Sequence, residues 1–211
     1  MRISDRWWSA VAPVYDAAVR SVGWHRYQDS LVIDTGPGPV LDVGCGPAHL
    51  CTGLVRRGVG YVGVDRNAAM LQRARQVTAS SSVQVALVRA DATALPFREE
   101  CFDTVVATAV LGLLGLESRR AALHEMARVV RCEVRLLEPV DRPDRPQHEA
   151  LSRWVALVRD SPLELQELIE AGLQPVLVGP PVLAGVYSFV HATKVRKPTP
   201  SSAEGLGHGT D

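Results

Sequence analysis

Two glycines around one small residue, Gly44-Cys45-Gly46, close the apolar run Val40-Leu41-Asp42-Val43 and open a segment of helical character. Glycine reaches backbone angles closed to other residues and has no Cβ to hold a ligand away. A turn of this kind between strand and helix therefore lets a ligand lie against the main chain. Asp42 places an acid just before the turn. A second apolar run, Tyr61-Val62-Gly63-Val64-Asp65, ends in an acid about twenty residues on, the offset at which nucleotide-binding α/β folds hold the ribose hydroxyls. A third run, 83–89, leads into Ala90-Asp91-Ala92, and a fourth, 101–108, follows Leu95-Pro96-Phe97. Glycine or acid chemistry at successive strand ends fits a ligand bound across the carboxyl edge of a parallel sheet.

The elements that must position these residues follow from periodicity and breakers. Residues 4–33 read as helical, with Trp7, Trp8, Val11, Val14, Tyr15 and Ala18 at helix-like intervals, before the break at 35–39. A helix over 48–57 backs the glycine turn and ends at Gly58, and Asn67 is placed to cap a helix over 68–77. Ser118 is expected to cap a long helix over 119–131, whose apolar face is Ala122, Leu123, Met126, Val129 and Val130. A fifth strand over 133–138, helices over 147–159 and 162–171, and strands over 174–178 and 186–193 complete the expected order. Residues 194–211 are rich in Pro, Ser and Gly, a composition that predicts disorder.

A chain of 211 residues suits a single α/β domain, here expected over 1–193 with 1–34 as a helical amino-terminal lid. Lys and Arg number 23 and Asp and Glu number 23, so nothing in the net charge favours nucleic acid as a partner. No apolar stretch approaches the roughly 20 residues of a membrane span, and the first residues lack a signal-peptide core. A cytoplasmic protein, monomer or homodimer, is the expectation. The four cysteines have no metal-ligand spacing and read as small buried hydrophobes, so no metal site is expected.

Leu41-Asp42-Val43-Gly44-Cys45-Gly46, Val62-Gly63-Val64-Asp65, Ala90-Asp91-Ala92-Thr93-Ala94-Leu95-Pro96-Phe97 and Phe102-Asp103-Thr104-Val105-Val106 together carry a resemblance. Leu123-His124-Glu125-Met126-Ala127-Arg128-Val129-Val130-Arg131 adds the helix before the fifth strand. The chain resembles class I S-adenosylmethionine-dependent methyltransferases of the type 11, quinone-methyltransferase-like group. That resemblance implies a Rossmann-like, doubly wound α/β sheet of seven strands, mostly parallel, with an antiparallel carboxyl-terminal hairpin.

It also implies a donor site. Gly44, Cys45 and Gly46 would form the turn against the methionine part of S-adenosylmethionine, with Asp42 on its amino group directly or through water. Asp65 would hold the ribose, Asp91 the adenine amino group, and the Ala92 amide a ring nitrogen. Arg66 and Met70 would flank the adenine, and Thr108, Ala109 and Val110 would line the donor near its sulfur. Tyr15 is either a lid residue over the donor carboxylate or a core aromatic on an amphipathic helix. Methylating a phenol or enol requires a proton to leave, and His148, after the fifth strand, is the candidate base; its other reading is a residue of a solvated helix.

Departures from the group's pattern are visible as well. Arg131-Cys132-Glu133 stands where a Pro-Gly-Gly turn is common, so that turn is expected to be shorter. Val110-Leu111-Gly112-Leu113-Leu114-Gly115 replaces a segment that often holds a histidine pair, which predicts a more apolar pocket entrance. The leading reading is methyl transfer to oxygen, carbon or nitrogen of a small apolar or aromatic metabolite, with S-adenosylhomocysteine as product. An alternative is a protein of this fold that binds the donor without methyl transfer. A nicotinamide-dependent oxidoreductase shares the glycine turn and ribose acid but does not account for Asp42, Asp91 and the terminal hairpin.

Overall fold

A computed structural model of the chain describes residues 7, 8, 10, 23–141, 161–183 and 186–195. Seven strands form one sheet: β1 (Val40–Val43), β2 (Tyr61–Asp65), β3 (Val85–Arg89), β4 (Phe102–Thr108), β5 (Val130–Glu138), β6 (Leu173–Val182) and β7 (Tyr187–Lys194). Their spatial order is β3-β2-β1-β4-β5-β7-β6. The first five strands pair in parallel, whereas β7 runs antiparallel to both β5 and β6. The expected seven-stranded, doubly wound α/β sheet with an antiparallel terminal hairpin is therefore present. Its order reverses at β1, between β2 and β4, the switch point at which open α/β sheets take ligands.

Period-two alternation divides the core into two layers. Leu41, Val43, Val105 and Ala107 point to one face, where α4 (Leu116–Val129) and α5 (Leu165–Glu170) contribute Leu123, Met126 and Leu168. Val40, Tyr61, Val106 and Leu137 point to the other, packed under α1 (Trp24–Leu31), α2 (Cys51–Val55) and α3 (Ala68–Thr78) through Trp24, Leu54 and Leu71. Asp42, between Leu41 and Val43, faces the second layer with Tyr61. No helix among the described residues is long and apolar enough to cross a membrane.

Several element bounds depart from the sequence reading. Of the long helix expected over 4–33, Trp7, Trp8 and Ala10 are helical and Trp24–Leu31 forms α1; Gly23, at the start of α1, has φ 66°, outside the helical region. The helix behind the glycine turn shortens to Cys51–Val55 because Ala48 sits at φ 61°; Gly58, at φ 69°, ends the following turn as expected. Asn67 caps α3, its Oδ1 accepting from the Ala69 and Met70 amides at 3.0 and 3.1 Å. Ser118 does not cap α4: the helix begins earlier, Gly115 is the N-cap, and the Arg119 amide already donates to the Gly115 carbonyl.

At its other end α4 runs straight into β5. Val130 is extended, and the Glu100 and Cys101 amides donate to the Arg128 and Val129 carbonyls, so strand pairing starts on the helix's last turn. The junction is glycine-free and short, as expected, but it falls at Val129–Val130; Arg131-Cys132-Glu133, where it was expected, lie within β5. The helix expected over 162–171 starts only at Leu165, because Leu163 bridges Val140 and exchanges hydrogen bonds with Pro139 and Asp141. β6 runs longer than expected through Pro175, Pro180 and Pro181. An edge strand tolerates prolines, and the ladder shifts register beside them.

Candidate functional site

A cleft of about 200 Å³ opens along the carboxyl ends of β1, β2, β3 and β4. The glycine turn forms its floor. The Gly44 and Cys45 amides both donate to the Val64 carbonyl, which carries the β1–β2 pairing into the turn. Gly44 and Gly46 have φ 72° and 51°, in the left-handed region that favours glycine. Their missing Cβ atoms serve different ends. A Cβ on Gly44 would stand 2.4 Å from Val110 Cγ2, whereas one on Gly46 would meet nothing within 4 Å. The chain itself fills the space at Gly44, and the open approach to the backbone is at Gly46.

Asp65 ties this floor to the next wall. Its Oδ2 accepts from the Gly46 amide at 2.9 Å and its Oδ1 from the Asn67 amide at 2.8 Å. These contacts orient the carboxylate between the glycine turn and the next helix. Asp91 forms an Asx turn, Oδ1 accepting from the Thr93 amide at 2.9 Å and hydroxyl at 2.8 Å. Those bonds, the backbone one foremost, hold its carboxyl below the ordinary range, against partial burial, with Arg66 helping. Its second oxygen has no hydrogen-bond partner among the described residues and stands exposed at the rim. Arg66 and buried Met70 complete this polar side.

The opposite side is apolar. Val110, Leu113, Leu114 and Trp8 line it, with Gly115 and Ser118 beyond. The chain leaves β4 through Ala109, at φ 58°, into a 3-10 turn over Leu111–Leu113. Glu138, at the end of β5 and fully buried, holds that turn: its carboxylate accepts from the Val110, Leu111 and Gly112 amides at 2.6, 2.9 and 3.3 Å. The expected apolar entrance is thus a capped turn. Glu138 escaped the sequence reading, although an acid closing an apolar strand is the signal that singled out Asp65.

Beneath the floor lies a buried polar group. Tyr61 donates to Asp42 Oδ2 at 2.7 Å, and Asp42 Oδ1 is buried with no hydrogen-bond partner. Burial pushes the Asp42 carboxyl up to about 7, opposed by the Tyr61 hydrogen bond and assisted by Asp65. Burial also raises the Cys45 thiol well above its ordinary value, with Asp42 and Asp65 adding to it. Gln28 of α1, equally unforeseen, donates from Nε2 to Thr108 Oγ1 at 3.2 Å.

Of the residues read from sequence, Gly44, Gly46, Asp65, Arg66, Met70, Asp91, Ala92, Thr108, Ala109 and Val110 all line the cleft. Asp42 and Cys45 lie beneath it, at 1% and 7% exposure, rather than on its wall. Tyr15 and His148 lie outside the described residues. Four histidines are described and none lines the cleft: His25 is exposed on α1, His49 follows the glycine turn, His124 is exposed on α4, and His191 of β7 contacts Glu133 at 2.6 Å, in the amino-terminal half of β5. No cluster of His, Cys, Asp or Glu among the described residues could hold a metal ion.

Residues 40–133 match a family described as methyltransferase domain. The demethylmenaquinone methyltransferase of Mycobacterium tuberculosis is 38% identical over 133 residues, covering 60% of this chain and 53% of that protein. The chain thus aligns with about half the length of such relatives. Among solved structures, magnesium protoporphyrin IX methyltransferase from Synechocystis PCC 6803 with bound SAH superposes with TM-score 0.65 at 20% identity, over 82% of this chain and 84% of that one. The [4+2]-cyclase SpnF superposes with TM-score 0.66 at 17% identity, over 81% and 80%. At these identities the likeness is one of fold.

Proposed function

From the premise that the chain is a class I S-adenosylmethionine-dependent methyltransferase by its domain family and sheet, we propose that it methylates a small aromatic or apolar acceptor. A quinol-like ring is the acceptor class suggested by the relatives' names. The observation that carries this reading is the division of one cleft into a polar wall of Asp65, Asp91 and Arg66 and an apolar wall of Val110, Leu113 and Leu114.

S-adenosylmethionine, when bound, supplies an electrophilic methyl group on a sulfonium. The residues present fit it. The open face at Gly46 admits a ligand to the backbone, Asp65 is oriented for ribose hydroxyls, and Asp91 keeps an exposed acceptor for an exocyclic amine. Asp91, whose carboxyl is held below its ordinary range, accepts hydrogen bonds as a carboxylate at neutral pH. The apolar wall would exclude water and align a flat acceptor, and such positioning supplies much of the rate of an in-line displacement. His148 remains the proposed base for an acceptor that must lose a proton.

Calorimetry with S-adenosylmethionine, S-adenosylhomocysteine and NAD, followed by methyl transfer assays on quinols, phenols and amines, tests the proposal. Binding of the first two with turnover of an aromatic acceptor is the expected result. Binding of NAD alone would overturn it. Donor binding with no turnover on any acceptor would instead favour an auxiliary protein of this fold.

A further inference from the structure

Gln28 occupies a position that packing alone does not explain. It is a polar side chain only 6% exposed, on the helix that covers one face of the sheet. Its Nε2 donates to Thr108 Oγ1, which fixes the plane of the amide, and its Oε1 is buried with no hydrogen-bond partner. A buried acceptor left unmade is costly, and an apolar residue would fill the same space without that cost. Thr108 lines the cleft one residue beyond Ala107, which pairs with Val43, so the amide stands beside the strand ends at Gly44. Asp42 shares this face of the sheet, its register partner Val106 lying two residues before Thr108, and its Oδ1 is also unpartnered. Two buried oxygens on one face of the sheet, each without a hydrogen-bond partner, suit a cationic group rich in N–H bonds.

We propose that Gln28 is a binding residue of the donor site, its Oε1 accepting a hydrogen bond from the α-ammonium of the donor's methionine part. The assignment rests on the reading of the cleft as an S-adenosylmethionine site. It gives α1 a direct part in recognising the amino-acid end of the ligand. Thr108 acts as the positioning residue that holds the amide through its nitrogen.

Calorimetry on the full chain tests this with three ligands: S-adenosylhomocysteine, its analogue with hydrogen in place of the α-amino group, and its analogue without the carboxylate. Gln28→Leu should weaken S-adenosylhomocysteine roughly ten- to hundredfold, as loss of a hydrogen bond to a charged group does. The same variant should change affinity for the deaminated analogue by less than about twofold. Gln28→Glu, of the same shape, should retain or tighten S-adenosylhomocysteine, because a carboxylate accepts more strongly from an ammonium. Equal losses for the deaminated ligand would reduce Gln28 to a support for Thr108 and overturn the proposal. So would an unchanged affinity in Gln28→Leu, or a Gln28→Glu variant as weak as Gln28→Leu with the loss vanishing for the decarboxylated ligand. Failure of the unaltered protein to bind S-adenosylhomocysteine would instead overturn the reading of the site itself.

Discussion

Two buried polar groups on opposite faces of the sheet differ in how far the chain completes them. Behind α4, Arg119 donates from Nε and from a terminal nitrogen to the two oxygens of Glu167, each at 2.8 Å, and from the other terminal nitrogen to the Ser161 carbonyl. Both side chains are buried, and Glu167 also accepts from the Glu164 amide at the start of α5. Beneath the glycine turn, Asp42 and Gln28 each make one hydrogen bond and leave an acceptor unmade. A closed ion pair of this kind fastens two helices. An open set leaves buried acceptors that a ligand could satisfy, as proposed above for Gln28.

Breaking the closed pair should have the largest effect. Arg119→Leu leaves Glu167 buried and uncompensated, so stability to urea should fall by about 3–5 kcal/mol. The double variant Arg119→Leu, Glu167→Leu should recover most of that loss. If the double variant is as unstable as the single one, the pair is not a self-contained fastening.

The open group should respond to pH instead. The folded-state pKa of Asp42 is about 7 against an ordinary value of 3.8, so its contribution is fully present below pH 3.8 and is lost as pH rises through 7. Tyr61, Cys45, Cys51 and Asp65 surround it electrostatically. Asp42→Asn removes the titration. Relative to the unaltered protein, that variant should gain stability between pH 4 and pH 8, on the order of 4 kcal/mol in all. Parallel stability curves would show that Asp42 does not carry a proton into the fold.

The two glycines separate by a smaller margin. Gly44→Ala meets both a left-handed backbone and the Val110 side chain, and should cost about 2–4 kcal/mol. Gly46→Ala faces only the backbone term, about 1–2 kcal/mol, but should weaken S-adenosylhomocysteine more than it weakens the fold. Adding Val110→Ala should rescue stability in the Gly44 variant and not in the Gly46 variant. Asn67→Ala, which removes the cap of α3, should cost least, about 1 kcal/mol, read from the thermal midpoint.

The strand positions and the acids at their ends were legible because each rests on a local pattern. An apolar run of four to seven residues ending in glycine or aspartate needs no distant partner to be recognised, and Asn67 announces a cap by its place before a helical run. Gln28 and Glu138 were not legible in this way. Gln28 reaches Thr108 across 80 positions of sequence and Glu138 reaches the 3-10 turn across 26 to 28, and neither distance leaves a mark on local composition. The left-handed Ala48 and Ala109 were equally silent, since alanine does not advertise a positive φ.

By itself the sequence determined the seven-stranded order of elements, the glycine turn and the acids at the strand ends, because periodicity and turn chemistry are properties of neighbouring residues. Only the tertiary structure decided which glycine is open, which acid is sunk beneath the floor and which buried acceptors stay unmade. Those outcomes depend on what another element brings into contact: Val110 over Gly44, Tyr61 against Asp42, and α1 across the end of β4.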